Sequence, residues 1–306
     1  MKKNKTFNEH FGIKHQTSEY INIFLGSDME LFIDPYNIAN NLNNRIAKKL
    51  YLRSKSFLET LNQNFIIHND RKNGLPFLSH LREPNEYGLG YSSVNKGKGV
   101  GKDKAEVVFD SLHNNKFAKA GVTITNEAHN VLLLVKGIGQ DNMSDILANV
   151  CRDIFAEFTH QQCLKNGIPT YPTKIEYFDS ASKKWLVKDV ELPFYKNHII
   201  LVPKFLINGG RQYTNYYNWF VFSNHLSKDI LEGKIKIAED SNYITELKDG
   251  SKKPILKNIS KDYRKTKDDL VDFAQQYDKS LLGFQIHMKD NFSSIDDVSL
   301  SLMLTA

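Results

Sequence analysis

The sequence predicts an α+β fold: an N-terminal mixed sheet with packed helices, then a β-hairpin or meander, then a small helical C-terminal part. Three observations carry this. Runs such as "YINIFLG", "TKIEYFD", "KWLVKDVEL" and "HIILVPK" are rich in β-branched and aromatic residues and are bounded by turn formers. Residues 41–65 and 142–162 repeat apolar side chains at the spacing of an amphipathic helix. Past residue 235 the chain becomes polar and mostly helical in pattern. The length of 306 residues suits one large domain or two modest ones with a sizeable core. The expected division is 1–167, an α/β core domain carrying the site; 168–235, a β-meander and helix; and 236–306, a charged, mostly helical region.

In chain order, "YINIFLG" and "ELFID" read as a hairpin that Pro35 ends. Ile46, Leu50, Phe57, Leu58, Leu61 and Phe65 then mark one face of a helix, flanked by Lys48, Lys49, Arg53 and Lys55. Residues 69–102 are glycine-punctuated and read as mostly loop, of a length more often functional than idle. "DKAEVVFDSLHNN" reads as a helix, and "AGVTI" and "NVLLLVKG" as strands. A helix over 142–162 completes a strand–turn–helix unit. Beyond Gly167 come three strands, with "SASK" and "PFYKN" as turns, then the loop "NGGRQYTNYYNW" and a helix capped near Ser223 and Asn224. Asp249–Gly250 is a turn within the helical remainder.

The bulk composition narrows the class. Apolar residues at 41% and charged residues at 25% are ordinary for a soluble globular protein. No apolar run approaches the roughly 18 residues of a bilayer span, and no apolar segment follows the basic N-terminus as in a signal peptide. A cytoplasmic protein with no membrane partner is the expectation. Cys151 and Cys163 fall on one predicted helix, about 18 Å apart, too far for a disulfide. Neither has a CxxC partner, which excludes a cysteine-based zinc site. The net charge of +6 suits a nucleic-acid partner, and equally a chain simply rich in Lys and Asn.

The stretch "KGIGQDNMSDILANVCRDIFAEFTH" is the richest in chemistry. On a helical wheel Met143, Ile146, Leu147, Val150, Cys151, Ile154, Phe155 and Phe158 form a core stripe. Opposite them lie Asp145, Asn149, Arg152, Ala156 and His160, with Asp141 at or before the N-cap. One reading makes Asp141 a cap and Asp145 a complement to the helix dipole. The other makes Asp141 and Asp145 ligands of a hard divalent cation, Mg²⁺ or Mn²⁺, with Asn149 or Asp34 completing the set. GxGxxG is not met here, and two carboxylates at a helix N-terminus repel a phosphate unless a metal bridges them. Arg152 would neutralise charge, and Glu83 or His160 would move a proton. "KGKGVGK" supplies Lys96, Lys98 and Lys102 to position phosphates, although it is no Walker A motif. "NGGRQYTNYYNWFVF" reads either as core aromatics or as a base-stacking surface.

With "LFIDP", "REPNEYGLGYS", "GKGVGK", "GIGQDNMSDILANV" and "ILVPK" in view, the first 210 residues resemble a family of bacterial proteins found in phage-defence gene neighbourhoods. The resemblance implies a defence context. Some members carry an added C-terminal nuclease-like domain, which implies a sensor or scaffold role for the shared part. The residues themselves favour a Mg²⁺- or Mn²⁺-dependent enzyme that hydrolyses phosphodiesters in nucleic acid or nucleotides. The alternative is a non-catalytic module that binds nucleic acid or a protein partner within a defence complex.

Overall fold

Helix-forming patterns dominate what the chain builds. The computed structural model describes residues 4–14, 18–91, 101–235 and 241–305. The chain divides into two compact units, Met1–Arg211 with Met288–Ala306, and Gln212–His287. These edges differ from the boundaries expected at 167 and 235.

The first unit opens with α1 (Phe7–Phe11), held by a capping box between Thr6 and Glu9. β1 (Phe32–Ile33) leads into α2 (Pro35–Asn40) and α3 (Arg45–Leu61). Asn44 caps α3 by accepting from the Ile46 and Ala47 N–H groups, and the helix buries Leu50, Phe57, Leu58 and Leu61 as its period demands. The predicted loop 69–102 contains α4 (Arg71–Leu78) and a 3₁₀ turn (Asn85–Tyr87). Then come α5 (Gly101–Asn114), α6 (Lys116–Lys119), α7 (Ala128–Leu134), α8 (Gln140–Val150) and α9 (Arg152–Asn166).

Three expectations are corrected here. The run "NVLLL" lies in helical α7, not in a strand, and all seven residues of α7 are buried. Periodicity cannot separate a short, fully buried helix from a buried strand. "AGVTI" ends in a 3₁₀ turn, Thr123–Asn126. The single helix expected over 142–162 breaks at Cys151, which leaves helical angles, so the two buried free cysteines do not share one straight helix. The break matters for the wheel: Met143 to Val150 are all buried, so α8 has no solvated face.

The hairpin of "YINIFLG" with "ELFID" does not form. Phe24 bridges to Thr6 and Tyr20 to Pro203, while β1 pairs antiparallel with β6 (Ile207–Asn208). β2 (Tyr171–Asp179) and β3 (Lys184–Leu192) form the expected hairpin, in register from Tyr171↔Leu192 to Asp179↔Lys184. Phe57, Phe77, Phe178 and Trp185 pack ring against ring beneath it, and the Trp185 indole donates to the Phe77 carbonyl at 2.9 Å. β4 (Phe194–Tyr195) and β5 (Asn197–His198) make a second, very short hairpin. Beyond it "IILVP" runs extended beside residues 19–21 instead of adding a third strand. The class is α+β as expected, with its strands in two-stranded pairings among the described residues.

The second unit contains α10 (Tyr213–Val221) and α11 (Ser227–Leu231), joined by a π-helical turn. The expected loop therefore becomes helix from Tyr213, and Tyr217 is buried with its hydroxyl 2.8 Å from Ser280 Oγ. β7 (Ile244–Glu246) and β8 (Lys252–Pro254) flank the predicted turn, where Gly250 holds φ +77°. α12 (Leu256–Tyr263), α13 (Leu270–Gln276) and α14 (Ser280–Asn291) follow, the last counted here through His287. α15 (Asp297–Thr305) belongs to the first unit. No helix among the described residues is long and apolar enough to cross a membrane.

Candidate functional site

Backbone pairing places the first acidic residues. Met29 forms a parallel bridge with Leu89: its N–H donates to the Gly88 carbonyl, and the Gly90 N–H donates back to Met29, both at 2.9 Å. Gly88 and Gly90 hold φ +61° and +130°, angles that a side chain would strain. The pairing brings Asp28 beside Gly90, and α8 brings Asp141 to the same point. A Cβ added at Gly90 would stand 3.5 Å from Asp141 Oδ1 and 3.9 Å from Asp28 Oδ2. The two carboxylates thus flank one glycine.

Two further bonds fasten the 82–90 segment to α8. The Tyr87 hydroxyl donates to the Ala148 carbonyl at 2.9 Å, and Asn149 Nδ2 donates to the Arg82 carbonyl at 2.7 Å. Part of the glycine-rich segment therefore lies against the Asp141 helix. Glu83 comes with it. Lys104, from the first turn of α5, pairs with Asp145 and stands 3.8 Å from Glu83. The group is Glu83 and Asp145 on one ammonium, with Asp28 and Asp141 close enough to act on their charge.

Its electrostatics follow from crowding. Burial pushes the Asp145 carboxyl up to about 7, against the pull of Lys104 and with the push of Asp141 and Glu83. Burial likewise raises Asp28 to about 6, helped by Glu83 and Asp141. Asp28 Oδ1 is buried with no hydrogen-bond partner among the described residues. At the rim Tyr91 is raised by burial, then by Glu30 and Asp141.

The expected site residues are redistributed. Glu83, Asp141 and Asp145 lie in one neighbourhood. Asn149 is adjacent, but its amide donates to the carbonyls of Arg82 and Asp145 and accepts from Arg152 Nη2 at 2.7 Å. Arg152 Nε is 3.0 Å from Glu86 Oε1, so this arginine braces the 82–90 segment against the helices. Asp34 lies outside the group. It caps α2 through the Tyr36 N–H and pairs with Arg211 at 2.9 Å, wholly buried. His160 lines a separate cleft with Asp153, Glu157, Asp189 and Glu191, beyond the break at Cys151. Lys96 and Lys98 lie outside the described residues, as does the side chain of Lys102, whose backbone is in the first turn of α5.

Asp28 and Lys104 are the two residues that the expected set lacks, and Lys104 is the legible one. The signal was present: it precedes Ala105 and stands one turn before Val108, both buried, so a charge sits on the edge of an apolar stripe. The expected metal set of Asp141, Asp145, Asn149 and Asp34 does not assemble, because three of its members are held by Lys104, Arg152 and Arg211. Among the described residues no three His, Cys, Asp or Glu side chains converge to hold a metal ion. Among the described residues, Asp28 and Asp141 are the donors of the group left without a hydrogen-bond or ion-pair partner.

No curated protein and no solved structure matches the chain. A family model matches residues 12–215, a span that contains all five members of the carboxylate–lysine group. The chain belongs to that family, described as Domain of unknown function (DUF8370).

Proposed function

We propose that the carboxylate–lysine group is the active site of a divalent-cation-dependent hydrolase acting on phosphodiesters of nucleic acid or nucleotides. One observation carries the reading: carboxylate oxygens of Asp28 and Asp141 both come within 4 Å of the point where a Cβ at Gly90 would stand, beside the Glu83–Lys104–Asp145 cluster. Like charges gathered at a half-buried point cost stability, and perturbed carboxylates of this kind concentrate at functional sites. A cation relieves the repulsion and lets a phosphate approach. Mg²⁺ is commonly held by only one or two protein carboxylates, with water and substrate phosphates supplying the other oxygens, so a pair of aspartates is a sufficient donor set. Asp28 and Asp141 would hold Mg²⁺ or Mn²⁺, which would supply charge stabilisation at the phosphate.

The protein's own groups then have distinct tasks. Lys104 offers a fixed positive charge to a phosphate oxygen, and Asp145 holds it in place. Glu83, partly exposed and against Lys104, accepts or returns a proton. Lys96, Lys98 and Lys102 precede Lys104 closely in sequence and would supply further phosphate contacts. The resemblance to proteins of phage-defence neighbourhoods supports a defence setting.

The test is cleavage of labelled single- and double-stranded DNA and RNA with Mg²⁺, Mn²⁺ or EDTA. Wild type is compared with an Asp28→Asn/Asp141→Asn variant whose folding is checked by circular dichroism. Metal-dependent cleavage that the variant loses is the expected result. No cleavage of any substrate, with salt-sensitive binding unchanged in the variant, would replace the hydrolase with a binding module.

A further inference from the structure

A second cleft adjoins the carboxylate group through the chain itself. It encloses about 270 Å³ between residues 23–26, residues 85–88 and the β4–β5 hairpin. That is near the low end of small-molecule sites, roughly 300 Å³. Two of its lining residues, Gly26 and Gly88, stand two positions before Asp28 and Gly90. Two extended residues span about 7 Å, so the cleft lies within a nucleotide's length of the carboxylates.

The lining mixes apolar groups, among them Ile23, Leu25 and Ile199, with polar ones, some of which are uncommitted. His198 Nε2 is buried without a hydrogen-bond partner among the described residues. The side-chain amides of Asn85 and Asn197 make no hydrogen bond among those residues either. Phe24 adds a main-chain edge. Its neighbours bond to the 5–7 segment through Ile23 O and Leu25 N, and strand alternation turns the Phe24 N–H and C=O the other way. Burial lowers His198 from its ordinary value, against the pull of Glu86, so at neutral pH the ring offers one donor and one acceptor.

The hairpin that carries this lining is strained. Tyr195 pairs with Asn197 around Lys196, a non-glycine residue at φ +60°. Such strain persists where the surrounding structure requires it. Here it sets the Tyr195 ring, the Asn197 amide and the His198 ring around one cavity; the His10 ring packs 4.5 Å from the Tyr195 ring, and the exposed Lys196 ammonium, 5.4 Å over it, is what a base would displace. A flat ring beside alternating donors and acceptors suits a planar heterocycle with an amide-like edge.

We infer that this cleft is a nucleobase subsite, with Tyr195 stacking on the base and Asn85, Asn197, His198 and the Phe24 main chain reading its edge. The inference rests on the phosphodiester reading and names its substrate class: nucleotides held by the base on one side of Gly88–Gly90 and by the phosphate on the other.

Nucleosides test it apart from the cleavage chemistry, because they carry no phosphate and need no metal. Adenosine, guanosine, cytidine and uridine are titrated into the full chain in EDTA by calorimetry. At least one should bind. Tyr195→Ala should weaken it roughly tenfold, in line with the worth of base–aromatic stacking. His198→Gln should change the order of preference among the four, and Asp189→Asn, in the separate cleft of His160, should leave affinity within about twofold. Thermal unfolding of each variant identifies any that fails to fold, and Tyr195→Phe, which keeps the ring, should restore binding. No nucleoside binding at millimolar concentration, or affinities unmoved by both Tyr195→Ala and His198→Gln, would overturn the subsite. Nucleoside binding without cleavage of any polymer would keep the subsite and remove the hydrolase. Cleavage without nucleoside binding would do the reverse.

Discussion

At the scale of single residues, Lys104 decides what Asp145 can be. Asp145 is 4% exposed, and a carboxylate that deep is charged only while a cation stays beside it. Removing the ammonium leaves a buried charge or forces a proton onto it. Lys104→Met should therefore destabilise the protein by about 1–2 kcal/mol at pH 8, because the carboxyl takes up a proton rather than staying as an unpaired charge. At pH 5 the loss should shrink. Asp145 already titrates near 7 with Lys104 in place, and without it the carboxyl is protonated over a wider range. Urea denaturation of variant and wild type at the two pH values measures both numbers. An equal loss at both would mean that Lys104 acts through packing of its stem, not through charge.

At the scale of elements, Asp34 shows how a conspicuous acid can serve architecture. It ends β1, caps α2 and meets Arg211, which reaches it from beyond β6, the strand paired with β1. One carboxylate thus ties the start of a helix to the closure of a two-stranded pairing. Asp34→Ala should cost about 3–5 kcal/mol, since it leaves Arg211 without its partner. Asp34→Asn should retain the cap, worth on the order of 1 kcal/mol, and lose the ion pair alone. Thermal unfolding of the two variants separates the contributions. In neither should metal dependence of cleavage change, because Asp34 lies outside the carboxylate group.

At the scale of the whole molecule, the chain is two compact units, and the family match ends at residue 215, near the edge of the first. The second unit has its own buried aromatics, with Tyr217 against Phe284 and hydrogen-bonded to Ser280. Tyr217→Ala removes a fully buried ring, a change that costs about 3–5 kcal/mol in a core. Hydrogen exchange should show protection lost over 212–287, with the amides of α3, α8 and α9 unchanged. Loss spread evenly over both units would mean that they unfold as one.

The sequence by itself determined the long amphipathic helix α3, the β2–β3 hairpin, the Asp249–Gly250 turn and the α+β class. Each rests on local periodicity or turn chemistry, which neighbouring residues fully specify. It also singled out Glu83, Asp141 and Asp145, because acids at a helix start or in a glycine-rich loop stand out by type and place. Tertiary structure decided the rest. "VLLL" is apolar throughout, so its period is silent and only packing on all sides made it a helix. Likewise Asp34, Asn149 and Arg152 could not be told from ligands by type. What assigned them to structure was the partner each met across the fold: Arg211, the Arg82 carbonyl and Glu86. Asp28 joined Asp141 only because Met29 pairs with Leu89, a contact sixty residues away in sequence. Local pattern fixes which residues can do chemistry; long-range pairing fixes which of them meet.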